Sequence, residues 1–169
     1  VPAVFFITTD FLDNKTLFYR HKASLVAERL GSICCKKLLG KIAEKLKLKP
    51  TADANEISLK VLQISFNQQK LLDEIAELCE IDFQEFLAQR RPYLDSEQLV
   101  ELKTHGHDIG AHGVDHQWLN EMNPNRQFEQ MCESVQLLTS LLKDHIRAFS
   151  FPFNSEGVSP EICERAISG

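Results

Sequence analysis

Short apolar runs alternate with long stretches of helical periodicity along this chain, and that order leaves few folds open to it. Val1 to Thr8, VPAVFFIT, is a continuous apolar and β-branched run that reads as a strand buried on both faces. A helical block follows from about Asn14 to Pro92, then a helix from Asp95 to before Gly106, an extended segment ending at His112, and a helix opened by Asn123-Pro124. Ile146 to Phe151 is a second short apolar strand, and Ser159-Pro160 opens the last helix, with Gly169 placed to end it. The alternation predicts a parallel α/β sheet or barrel. With 169 residues, 43% of them hydrophobic, one core is affordable and residues 1–169 are read as a single domain.

Within the helical block, Lys15 to Leu30, Ile33 to Leu48, Glu56 to Cys79 and Asp82 to Gln89 each carry apolar residues at helical spacing. The lysines of KKLLGKIAEKLKLK form either a membrane-surface face or, the better reading, the solvated face of a core-packed helix. Phe66, Phe83 and Phe86 are expected to pack in a core. Asp95 with Gln98 three residues later predicts a capping box, and Asp10 with Asp13 and Asn14 predicts a turn or helix cap rather than a metal-binding carboxylate.

The chemistry concentrates in Gly106 to Leu119, GHDIGAHGVDHQWL. Asp108, Gly110 and His112 fall on one side of an extended segment and Ile109 and Ala111 on the other. Gly113 lets the chain turn, and His116 follows His112 at a spacing where two imidazoles meet on one helical turn or tight loop. Two neutral imidazoles held together are half of a first-row metal site, zinc being the usual occupant. The bland alternative is a helix start with two hydrogen-bonded surface imidazoles. Arg147 to Asn154, RAFSFPFN, places a guanidinium and free backbone groups at the end of a strand, where ligands of α/β folds collect.

These stretches together resemble the polysaccharide deacetylases, the NodB-homology carbohydrate esterases. GHDIGAH followed by His116 is similar to that family's second motif, which carries two metal ligands; Gly113 stands where Ser or Thr is usual. RAFSFPF is similar to the third motif, and VPAVFF to the family's PATFF strand. The resemblance implies a (β/α) barrel-like fold, here incomplete, with residues 14–92 as a large helical insertion. It implies a divalent metal, zinc by expectation, on His112 and His116. Arg147 would orient a catalytic Asp, and the backbone N–H of Phe153 would help hold an oxyanion. The reaction implied is metal-assisted removal of acetyl groups from N-acetylated, or O-acetylated, carbohydrate.

The family's first, fourth and fifth motifs, with the catalytic base and acid, fall outside the sequence. Since the chain begins with a strand under way and ends just after a helix, it is read as a piece cut at both ends from a longer deacetylase. The alternative is a catalytically incomplete scaffold that binds a glycan or a protein. The insertion is expected either to wall the substrate groove or to serve as a packing or homo-oligomer contact.

Other classes are disfavoured by bulk properties. A net charge of −5 and a pI near 5.7 give no footprint for nucleic acid. No apolar run is long enough to span a membrane, and carbohydrate is the expected partner. The five cysteines, Cys34, Cys35, Cys79, Cys132 and Cys163, lack metal or disulfide spacing. They read as small buried hydrophobes of a cytoplasmic protein, the alternative being an extracellular or envelope protein whose leader is missing from this sequence.

Overall fold

The computed structural model describes residues 1–168, so the helix-ending role read for Gly169 lies outside the described residues. The chain divides into two compact units, Val1–Thr16 with Arg91–Gly169 and, between them in sequence, Leu17–Arg90.

In the first unit, strand β1 (Val4–Ile7) pairs in parallel with β2 (Asp108–Ala111), Val4 opposite Asp108 and Ile7 opposite Ala111. Ala111 donates its N–H to the Ala148 carbonyl and accepts from the Ser150 N–H, both at 2.9 Å, so the expected third strand is a single parallel bridge at Phe149. Among the described residues the sheet therefore has two strands and a bridge, an α/β arrangement in which no barrel closes. One face carries Ile7, Ile109 and Ala111 into a core with Leu12, Leu99 and Leu138. The reading of β1 as buried on both faces is corrected: Val4, Phe5 and Phe6 are 36–48% exposed. Among the described residues β1 has a partner on one edge only, and covering Val4 and Phe6, on the face opposite that core, needs a layer that its own sequence cannot supply.

Helices α6 (Ser96–Thr104) and α7 (Pro124–Leu142) begin where cap chemistry places them. Asp95 and Gln98 form the expected capping box, and the Asn123 side chain accepts from the Arg126 N–H ahead of a first-turn proline. A 3₁₀ turn spans Thr9–Asn14, with Thr8 rather than Asp10 in the cap position. The capping carboxylate of this stretch is Asp13, which accepts from the Ser96 N–H at 2.7 Å and from the Ser96 hydroxyl at 2.9 Å, across the start of α6.

Burial pushes the Asp13 carboxyl up, but the Ser96 bonds and Lys15 outweigh it and hold the carboxyl below its ordinary range. A depressed carboxylate stabilises the fold above its unfolded pKa, near 3.8, and loses that contribution as pH falls through its folded value. Asp13→Ala is expected to lose about 1 kcal/mol at neutral pH. In urea titrations the gap from wild type should close as pH is lowered below about 4. A gap independent of pH would mean that the Asp13 carboxylate's bonds to Ser96 add nothing to the start of α6.

The second unit is all helix: α1 (Tyr19–Leu30), α2 (Lys36–Lys45), α3 (Ala54–Leu62), α4 (Gln69–Leu78) and α5 (Phe83–Arg90). Its core contains Val26, Leu30, Ile42, Ile57, Val61, Leu72 and Ile75, with Phe66 and Phe83 packed against it. Lys36, Lys37, Lys41 and Lys45 are exposed while Ile42, Ala43 and Leu46 are buried, which is the solvated-face reading. The helix expected over Glu56–Cys79 is two, because the Ser65 side chain and Gln68 form a capping box that starts a new turn. The cysteines are free; Cys79 is buried as expected, whereas Cys34 and Cys35 are exposed in the segment before α2. Among the described residues no helix is long and apolar enough to cross a membrane.

Candidate active site

The C-terminal ends of β1, β2 and the bridged segment meet where the first histidine leaves the sheet. The His112 N–H donates to the Ile7 carbonyl at 2.9 Å, continuing the ladder one residue past β2. The His112 Nδ1 lies 2.8 Å from the Ser150 carbonyl oxygen. A carbonyl only accepts, so Nδ1 carries the proton of the neutral ring and Nε2 keeps its lone pair. Fixing one ring nitrogen on a carbonyl is how a ligating histidine is usually oriented.

Gly110 precedes this residue for a steric reason. A Cβ there would stand 2.6 Å from the Phe6 ring and 3.0 Å from the Ala148 carbonyl oxygen. Phe6 therefore lies across the bare glycine, its ring centroid 6.4 Å from that of His112.

His116 comes from a tight loop, not a helical turn. Its φ of 59° is left-handed, a conformation costing a non-glycine residue about 1–2 kcal/mol. The His116 ring stands edge to face with His112, centroids 4.8 Å apart, and with Phe153 at 5.0 Å. Phe153 is itself at φ 63°, in a three-residue turn closed by the Asn154 N–H on the Pro152 carbonyl at 2.8 Å. That is the strained sense of such a turn. Two strained residues in contact at one sheet end mark a place where the surroundings over-determine the backbone.

Two further side chains shape these loops, and the sequence reading did not find their roles. Asn154 accepts from the Trp118 indole N–H at 2.9 Å and from the Glu156 N–H at 3.1 Å, tying the Phe153 turn to the His116 loop. Gln130, from α7, bonds the backbone of Val114 and Asp115. The substitution at Gly113 has a local explanation: its φ is +77°, and a Cβ would press the Gln130 Oε1 at 3.3 Å.

The structure thus brings His112, His116 and Phe153 into one cluster. Arg147 lies elsewhere on the bridged segment, lining a cleft of about 530 Å³ with Met131, Cys132, Phe149 and Cys163. The charge beside it is Asp144, whose carboxyl is held low first by Lys103 and to a lesser degree by Arg147. Asp10 approaches the histidine loop through its backbone, its N–H donating to the Val114 carbonyl at 2.9 Å. Although Asp10 reaches solvent, the atoms crowded around its carboxyl raise its pKa, and the Asp115 charge adds to the rise.

As a metal site, the two imidazoles have suitable donor chemistry, and the His112 tautomer is set by Ser150. Among the described residues no group of three or more His, Cys, Asp or Glu side chains stands close enough together to hold an ion. Two imidazoles alone are half the donors of a four-coordinate zinc site.

A profile of the family described as polysaccharide deacetylase matches residues 1–166, nearly the whole chain. The chain belongs to the polysaccharide deacetylase family. The "Putative polysaccharide deacetylase YxkH" of Bacillus subtilis (strain 168) is 32% identical over 60 residues, 36% of this chain and 22% of that protein. The matched part thus spans about a fifth of that relative's length. No solved structure matches. Within this deacetylase-family chain, the fold-determining glycine, the bridging carbonyl of Ser150 and the two histidines belong to one continuous piece of structure.

Proposed function

We propose that the chain supplies part of the active centre of a metal-dependent hydrolase that removes acetyl groups from N-acetylated, or O-acetylated, carbohydrate. Its scaffold would be a (β/α) barrel of which β1, β2 and the bridged segment form one part, with residues 14–92 inserted after the first strand. His112 and His116 are the metal ligands in this reading. The observation that supports it best is the imidazole pair itself, with one tautomer set by Ser150 and the second ring held on a strained backbone. Imidazole donors suit zinc. When bound, such an ion polarises the acetyl carbonyl and lowers the pKa of bound water to about 7.

The chain's own contributions follow from its residues. Ser150 fixes the His112 ring through Nδ1, and the Phe153 ring limits the His116 ring, to which it is nearly perpendicular. The backbone N–H of Phe153 is the group proposed to hold the oxyanion, a role that a Phe performs as well as a Tyr because the side chain takes no part. Arg147 is proposed to orient a carboxylate base.

The test measures metal content of this chain and acetate release by the full-length protein, which in this reading adds the base and the acid, each with and without the His112→Ala, His116→Ala double substitution. Chelator-stripped wild type reloaded with zinc should hold about one ion per chain and the variant none. Acetate release from N-acetylglucosamine oligomers or an O-acetylated sugar should vanish with the ion. An ion retained by the double variant would place the metal elsewhere and overturn the reading. The exposed apolar strand β1 favours a second reading, a binding scaffold. Retention of the oligomer without acetate release would select it.

A further inference from the structure

The turn that carries His116 is held by a buried side chain from a distant helix. Gln130 is 1% exposed on the core-facing side of α7. Its Oε1 accepts from the Val114 N–H at 2.8 Å and from the Asp115 N–H at 3.4 Å, and its Nε2 donates to the Asp115 Oδ2 at 3.1 Å. The rest of the turn is anchored as fully. The Gly113 and Val114 carbonyls accept from the Thr9 and Asp10 N–H groups at 3.2 and 2.9 Å. Asp115 Oδ1 accepts from the Gln117 N–H at 3.0 Å.

Burying a carboxamide is unfavourable unless its hydrogen bonds are made, and an apolar side chain would pack at this helix position without that penalty. The bonds it makes converge on the residues immediately before His116. His116 itself is at φ 59°, a conformation it would not hold on propensity. We infer that Gln130 is a positioning residue for His116: its carboxamide locks the 113–117 turn so that the second imidazole is presented to the first before any ion arrives. The inference rests on the metal-ligand reading of the histidine pair. It adds to that reading a preorganising residue on α7, reached only through the fold.

Two variants and one control test it. Gln130→Met keeps the volume and removes all three bonds. The double variant Gln130→Glu, Asp115→Asn restores them with donor and acceptor exchanged, since the new Asn can donate to the new Glu while the Glu still accepts from both N–H groups. It also keeps one carboxylate near Arg126, whose guanidinium lies 4.0 Å from Asp115. Leu138→Val, on the same helix but in the sheet core, is the control for lost stability alone.

The first readout is the imidazole NMR spectrum of the metal-free protein, with His116 assigned by its loss in His116→Ala. Gln130→Met should shift and broaden the His116 ring signals, which sense the Phe153 ring. The exchanged pair and Leu138→Val should leave them near the wild-type positions. The second readout is the zinc dissociation constant by chelator competition, expected about tenfold weaker in Gln130→Met and within about threefold of wild type in the exchanged pair. Unchanged His116 signals in folded Gln130→Met would overturn the inference whatever the metal does. If wild type binds no zinc but the signals move as expected, positioning stands and the metal reading fails.

Discussion

Gly110→Val should cost the sheet unit about 3 kcal/mol, the upper end of what inserting a side chain into a filled space exacts. The new Cβ would lie 2.6 Å from two atoms of the Phe6 ring and 3.0 Å from the Ala148 carbonyl oxygen. Phe6 is 42% exposed and can swing outward. The carbonyl cannot, because it belongs to the backbone that accepts the Ala111 N–H. A β-branched residue has better strand propensity than glycine, which returns up to about 1 kcal/mol. Gly110→Ala makes the same Cβ contacts with less bulk beyond them and should cost less. Urea midpoints at unchanged slope measure both. A Val variant within about 0.5 kcal/mol of wild type would show that the Ala148 carbonyl does not close over this glycine. The same substitution should disturb the His112 ring, since the side chain displaced is its aromatic neighbour.

What the sequence disclosed and what it hid divide by range. The starts of α6 and α7 were legible because Asp95, Gln98, Asn123 and Pro124 act within one helical turn. The break between α3 and α4 was equally local, since Ser65 and Gln68 spell a capping box, but the apolar periodicity on either side hid it. The burial pattern of α7 was not legible for a different reason. Met131 and Leu138 are buried as a helical stripe predicts, yet Gln127, Gln130 and Ser134 share that face. Gln127 donates to the carbonyls of Leu119 and Gly157, and Gln130 serves the histidine turn. Periodicity scores such residues as surface because their partners lie in other loops.

The exposure of β1 was hidden likewise. VPAVFF reads as buried, and only the presence of a neighbouring strand or layer decides whether it is. The histidine pair, by contrast, was legible at the level of residue type and spacing. Its left-handed backbone and its Ser150 and Phe153 contacts were not, because they are set by pairing across the sheet end.

The last expectation turns on Gly113, where this chain departs from the hydroxyl-bearing residue of the motif it resembles. Gly113→Thr places a β-branched side chain at φ +77°, with its Cβ 3.3 Å from Gln130 Oε1 and 3.5 Å from Pro152 Cγ. The conformational part alone costs about 1–2 kcal/mol, and the contact adds to it. Gln130 cannot yield freely, because the same oxygen accepts from the Val114 N–H at 2.8 Å. The loss should therefore total about 2 kcal/mol, and it should be partly relieved in a Gln130→Met background, where the opposing oxygen is gone and the thioether can bend. A double-mutant cycle on urea stability reads the coupling directly. Strictly additive losses would mean that Gly113 is required for its backbone angle alone. Measured coupling would tie the glycine in the histidine turn and the glutamine of α7 into one unit, each residue fitted to the other around His116.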